Sequence, residues 1–118
     1  MRRFATTMTA LTLVCVSAAA NAGEYAPLNC KKANSPAEQT ICDSYSLGQS
    51  EARMATLFGV TTSLVAMGQR GNIQDDQRKW LQSRDACGKS IPCLTEAYER
   101  RIRELESVLA GIASRGPY

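Results

Sequence analysis

Four cysteines, Cys30, Cys42, Cys87 and Cys93, constrain this chain more than any other feature. They form an even set, and they follow a stretch that reads as an export leader. Arg2 and Arg3 supply a positive start, and Phe4 to Val16 form an uncharged, largely apolar run. Ala18-Ala19-Ala20-Asn21-Ala22 then offers small residues in A-x-A spacing. This order is that of a secretory signal, with cleavage expected after Ala22. A membrane anchor needs about 20 apolar residues, and this run is shorter and diluted by threonine. Cys15 lies inside the run, after Val14 rather than a small residue, so it does not mark a lipoprotein and leaves with the leader. The expectation is a periplasmic or secreted chain with no membrane span once residues 1–22 are removed.

In an oxidising compartment the remaining four cysteines pair. Three connectivities are possible. The close spacing of the two pairs favours Cys30–Cys42 and Cys87–Cys93, each closing a short loop. Such a crosslink contributes about 2–3 kcal/mol in the chain-entropy account. That matters in a domain whose total stability is typically about 5–15 kcal/mol. A zinc site is not expected. The chain has no histidine, and the cysteine separations miss the short spacing of zinc ligands. No cofactor motif is present either.

The whole chain carries 14 basic and 11 acidic residues; without Arg2 and Arg3 the balance is nearly neutral. A neutral balance leaves no electrostatic footprint for nucleic acid. The remaining length holds one domain.

Residues 23–34 read as an irregular entry segment, and residues 35–115 as a helical domain. Ser35-Pro36-Ala37-Glu38 is a strong helix start: an N-cap serine, a proline in the first turn and a glutamate completing a capping box. From there to Met67 no proline intervenes. Ile41, Tyr45, Leu47, Met54, Leu57, Phe58, Leu64 and Met67 fall on one broad apolar stripe. Gly48 and Gly59 mark places for a kink or a break. Gly68 to Asn72 reads as a connection, after which Asn72 caps a second helix with Asp75 and Asp76 in its first turn.

Ile73, Gln77, Trp80, Leu81 and Arg84 follow one helical row that places Trp80 and Leu81 on the buried face, and Gly88 suits a C-terminal stop. Pro92 opens the last helix. There Leu94, Tyr98, Ile102, Leu105, Leu109 and Ile112 recur near a period of 3.6, and Gly116-Pro117 ends it. No segment alternates as a strand does. The expected fold is all-α: a small disulfide-stapled bundle of three or four helices. Its core is centred on Trp80, Leu81, Tyr98, Ile102 and Leu105.

The series Cys30, Ala33, Glu38, Ile41-Cys42, Leu47, Glu51, Met54 and Phe58 has a familiar spacing. It is followed by Gln77-Arg78-Lys79-Trp80-Leu81, Arg84-Asp85, Cys87, Cys93-Leu94, Tyr98, Arg101-Ile102 and Leu105. Together these resemble the LprI-type lysozyme-inhibitor domain, a family of small exported bacterial proteins. The W-L-x-x-R-D-x-C run is its most specific part. Ser50 stands where that family usually has leucine, and Val60 to Asn72 has little to align. The resemblance implies a protein-binding role, with a lysozyme as the partner.

Catalysis is not expected. Without histidine no Ser/His/Asp set can be assembled, and oxidised cysteines leave no thiolate nucleophile. Lysozymes work through two acidic residues in a cleft. An inhibitor could plug that cleft and offer donors to those carboxylates. The candidate donors are Arg70, flanked by glycines in the Gly68–Asn72 connection, and Lys89 in the loop between Cys87 and Cys93. The charge-dense run Glu96 to Glu106 reads as a solvated face, with Glu96–Arg100 and Glu99–Arg103 as i,i+4 pairs. A second expectation is a non-catalytic envelope or secreted accessory protein with a different protein partner.

Overall fold

A computed structural model describes residues 28–115. The expected leader, the first part of the entry segment and the Gly116-Pro117 stop lie outside the described residues. The described chain is all-α. A single 3₁₀ turn at Cys30–Lys32 precedes α1 (Pro36–Asp43), α2 (Tyr45–Leu64), α3 (Met67–Ala86) and α4 (Ile91–Ala113). No strand occurs among the described residues.

Three expected termini form where the residues place them: the start of α1, the start of α4 and the stop after α3. Ser35 Oγ accepts from the Glu38 amide at 3.1 Å, and Glu38 Oε2 accepts in return from the Ser35 amide at 3.4 Å. Ser90 caps α4, with Pro92 in its first turn. Gly88 takes φ 56° after α3, a conformation glycine adopts without strain.

The long run after Ser35 is broken, and at neither glycine. Ser44 ends α1 in an extended conformation and caps α2 by accepting from the Leu47 amide. Gly48 and Gly59 both lie inside α2. The break resets the helical phase, so the single stripe expected from Ile41 to Met67 does not exist. Ile41, Leu47, Met54 and Phe58 are buried, whereas Tyr45 is 85 % and Met67 84 % exposed, and Leu64 is also exposed.

A second correction concerns the connection. Residues 68–72 lie in the first turns of α3, which begins at Met67, so only Val65 and Ala66 link α2 to α3. Asn72 is therefore no cap. Asp75 and Asp76 sit in mid-helix and pair with Arg78 and Lys79 one turn on.

The order of cross-helix pairs defines the topology. Glu51 meets Tyr98 and Arg53 meets Glu106, so α2 and α4 run in the same direction. Arg84 meets Glu51, and Gln77 meets Met54 and Arg101, so α3 runs antiparallel to both. The short α1 packs across the end where α3 finishes and α4 begins, with Glu38 facing Arg84. Trp80, Tyr98, Ile102 and Leu105 are buried at the centre with Ile41, Leu47, Met54, Phe58 and Leu94. Leu81 is only half-buried and packs on the edge of this core.

Both disulfides join the local pairs, with Cα atoms 5.6 Å apart for Cys30–Cys42 and 5.5 Å for Cys87–Cys93. The first ties the entry segment to the end of α1; the second staples the α3–α4 hairpin. No helix among the described residues is long and apolar enough to cross a membrane. Two disulfides fit a compartment outside the reducing cytosol.

Candidate functional site

The chemistry-bearing side chains fall into a buried cluster, a crosslinked turn and the far end of the bundle. The buried cluster lies where α1, α2, α3 and α4 converge. Arg84 is 4 % exposed and is ringed by carboxylates: Asp85 at 2.8 Å, and Glu38 and Glu51 each at 3.7 Å. Its guanidinium also lies 5.8 Å from the centroid of the Trp80 ring, a cation–π arrangement. The Tyr98 hydroxyl donates to Glu51 Oε2, and the Leu28 amide donates to Glu51 Oε1 at 3.1 Å. Trp80 meets Tyr98 edge to face at 5.2 Å and donates its indole N–H to the Ala97 carbonyl.

The electrostatics follow from this enclosure. Burial raises the Tyr98 pKa above the ordinary phenol value, and the neighbouring Glu51 carboxylate raises it further, both by charge and by accepting the proton of the neutral phenol. For Arg84, burial acts to lower the pKa. Tyr98, Asp85 and Glu51 outweigh it and hold the guanidinium above its ordinary value. Arg84 is a fixed positive charge inside the fold.

A second buried polar group stands one to two turns away. Arg101 donates to Gln77 Oε1 at 2.8 Å, to the Ile73 carbonyl at 3.2 Å and to Glu104 at 3.0 Å. Gln77 completes the chain with a contact to Met54 Sδ at 3.1 Å. Among the described residues no buried side-chain nitrogen or oxygen lacks a partner. A fully satisfied network of this kind holds helices in register.

Glu51, Gln77 and Arg101 have buried structural roles not assigned to them from the sequence. Their helical phase carries the signal. Arg101 lies three residues after Tyr98 and four before Leu105, and Glu51 lies four after Leu47 and three before Met54. Each occupies the apolar face despite its polarity. The run from Glu96 to Glu106 is accordingly not a uniformly solvated face. Among the described residues neither Glu96–Arg100 nor Glu99–Arg103 forms an ion pair, and those of this run are Arg101–Glu104 and Arg53–Glu106.

The two candidate donors lie at opposite ends. Lys89 is exposed in the turn closed by Cys87–Cys93, next to the exposed Ile91, with no carboxylate within 4.0 Å among the described residues. Arg70 is not on a protruding loop. It sits in the first turns of α3, half-buried, and turns back on α2: Nε donates to the Thr62 carbonyl at 2.7 Å and Nη2 to the Val65 carbonyl at 3.4 Å. Those carbonyls belong to the unpaired C-terminal turn of α2, where a cation is favoured. The structure thus separates the two residues that were expected to share a partner surface.

No family model, curated protein or solved structure matches this chain.

Proposed function

We propose that the chain is an exported, non-catalytic protein-binding module resembling the LprI-type inhibitors, and that it blocks a lysozyme by seating the Cys87–Cys93 turn in the enzyme cleft. The observation supporting this reading is the Lys89 ammonium, with no ion-pair partner among the described residues, on a covalently closed turn with Ile91 exposed beside it. A lysozyme cleft presents two carboxylates, which an ammonium can engage by charge-assisted hydrogen bonds. Closing the turn in advance reduces the ordering entropy that binding would otherwise have to overcome.

The positions that carry the family resemblance, Glu38, Glu51, Trp80, Arg84, Tyr98 and Arg101, are engaged inside the bundle. They serve the scaffold, and recognition falls to the exposed turn. Arg70, at the opposite end, drops out of this surface.

The test is residual lysozyme activity in the presence of excess purified protein, across the lysozyme types, with Lys89→Glu alongside. Inhibition by the wild type and its loss in Lys89→Glu is the expected result. Absence of inhibition of every lysozyme type overturns the reading. An accessory protein with another partner is the alternative. It draws on the near-neutral charge of residues 23–118, which provides no long-range steering towards a basic enzyme.

A further inference from the structure

At the end of the bundle away from the disulfides, a hollow of about 470 Å³ opens between the last turns of α2 and the first turns of α3. It is lined by Gly59, Thr62, Ser63 and Arg70. Its size falls in the usual range for small-ligand sites, about 300–1,000 Å³. Gly59 leaves the α2 wall without a side chain at that point. The hydroxyls of Thr62 and Ser63 donate back to α2 carbonyls, at 2.7 Å to Phe58 and 2.8 Å to Val60. Among the described residues the walls therefore offer the threonine methyl, glycine backbone and arginine methylenes, with one charged group.

That group is pre-set. A guanidinium has two donor edges. Arg70 uses the Nε–Nη2 edge on the Thr62 and Val65 carbonyls, which fixes the plane of the ion. The Nη1 hydrogens and the second Nη2 hydrogen have no partner among the described residues. They form a free fork whose spacing matches the two oxygens of a carboxylate.

We propose that this hollow is a binding site for a carboxylate on a short apolar stem, the carboxylate clamped end-on by the free fork of Arg70 and the stem lying along Gly59 and Thr62. Either a free aliphatic acid or the C-terminus of a peptide has this chemistry. The site lies within the stretch Val60 to Asn72, where the family resemblance has little to align, and it does not depend on the lysozyme reading.

Isotope-labelled protein titrated with hexanoate, and separately with N-acetyl-Leu-Ala, tests it by NMR, with hexanamide and the dipeptide amide as the matched neutral probes. The expected result is saturable shifts confined to residues 59–70 and to the Arg70 Nε–H. Each amide should bind about tenfold or more weakly than its acid, the effect of losing a charge-assisted pair. Whichever acid binds more tightly identifies the source. Gly59→Leu fills the hollow and is expected to abolish binding while leaving the Arg70 Nε–H resonance in place. Equal affinity for acid and amide, or shifts that do not saturate, overturns the proposal, as does unchanged acid binding by a folded Gly59→Leu variant. Should Gly59→Leu fail to fold, the comparison of acid with amide on the wild type still decides.

Discussion

The two ends of this bundle solve the same problem with different chemistry. At the disulfide end, α1 and the ends of α3 and α4 enclose a charged cluster, and two covalent bonds lie beside it. At the far end Thr61 and Thr62 are buried with their hydroxyls bonded to α2 carbonyls, Phe58 and Ile112 both belong to the core, and the half-buried Arg70 closes the α2 terminus. Val60, Leu64 and Met67 stay exposed there. Burying a guanidinium and a carboxylate together is tolerated only if every donor and acceptor is met, because the desolvation penalty is several kcal/mol per ion. Crosslinks hold the backbone still where that geometry is needed. Among the described residues the far end buries no such pair, and packing with helix-terminal hydrogen bonds suffices there.

The largest effect that contrast implies is at Arg84. Arg84→Met leaves Glu51 buried without its cation and is expected to lower stability by about 3–5 kcal/mol in urea unfolding. In a Glu51→Gln background the same change should cost at least about 1 kcal/mol less, a coupling that a double-mutant cycle reads directly. Equal costs in both backgrounds would show that Arg84 matters by packing alone, and the two ends would then differ less than their geometry suggests.

Next in size are the crosslinks. Replacing Cys30 and Cys42 with serine should cost about 3 kcal/mol and replacing Cys87 and Cys93 about 2, in the order of their loop lengths. The first replacement should also weaken the Arg84 cluster, because the entry segment carries the Leu28 amide to Glu51. Amide exchange that leaves Tyr98 and Arg84 as protected as before would break that link.

Tyr98 sharpens the comparison through pH. Its removal in Tyr98→Phe takes a donor from Glu51 and should cost about 1–3 kcal/mol near neutrality. Because the native phenol pKa is raised, the folded state keeps its proton where the unfolded chain releases it. The stabilisation is therefore fully present below the ordinary value of 10.0 and declines as pH rises beyond it. The stability gap between wild type and Tyr98→Phe should shrink above about pH 10. A gap that widens there contradicts the assignment.

The smallest effect belongs to the far end. Arg70→Ala frees the Thr62 and Val65 carbonyls at the end of α2, and a loss of about 1 kcal/mol is expected in thermal unfolding. A loss as large as that at Arg84 would erase the distinction between the ends.

Local chemistry was legible wherever a residue acts on its own neighbours. The Ser35–Glu38 capping box, the proline near the start of α4, the left-handed Gly88 and both short-range disulfides need only a few residues to be specified. The apolar period of α4 survived for the same reason, since Leu94, Tyr98, Ile102 and Leu105 share one uninterrupted helix. The break at Ser44 was harder to see. Serine serves as a helix interior or as a cap with little local difference, and packing of α1 across the bundle end chooses the cap. Likewise Gly68 to Asn72 has the composition of a loop yet forms helix, its propensity cost overridden by Arg70 and by burial of Ile73.

By itself, the order of residues determined an all-helical, crosslinked chain with Trp80 and Tyr98 at its centre. Periodicity, caps and short loops are properties of neighbours along one chain. Only the tertiary structure decided that Arg84 would sit among Glu38, Glu51 and Asp85, that Arg70 would turn inward, and that Lys89 would remain exposed. The partner of a charged side chain lies up to dozens of residues away, so its burial is set by where the helices cross and not by the residues beside it.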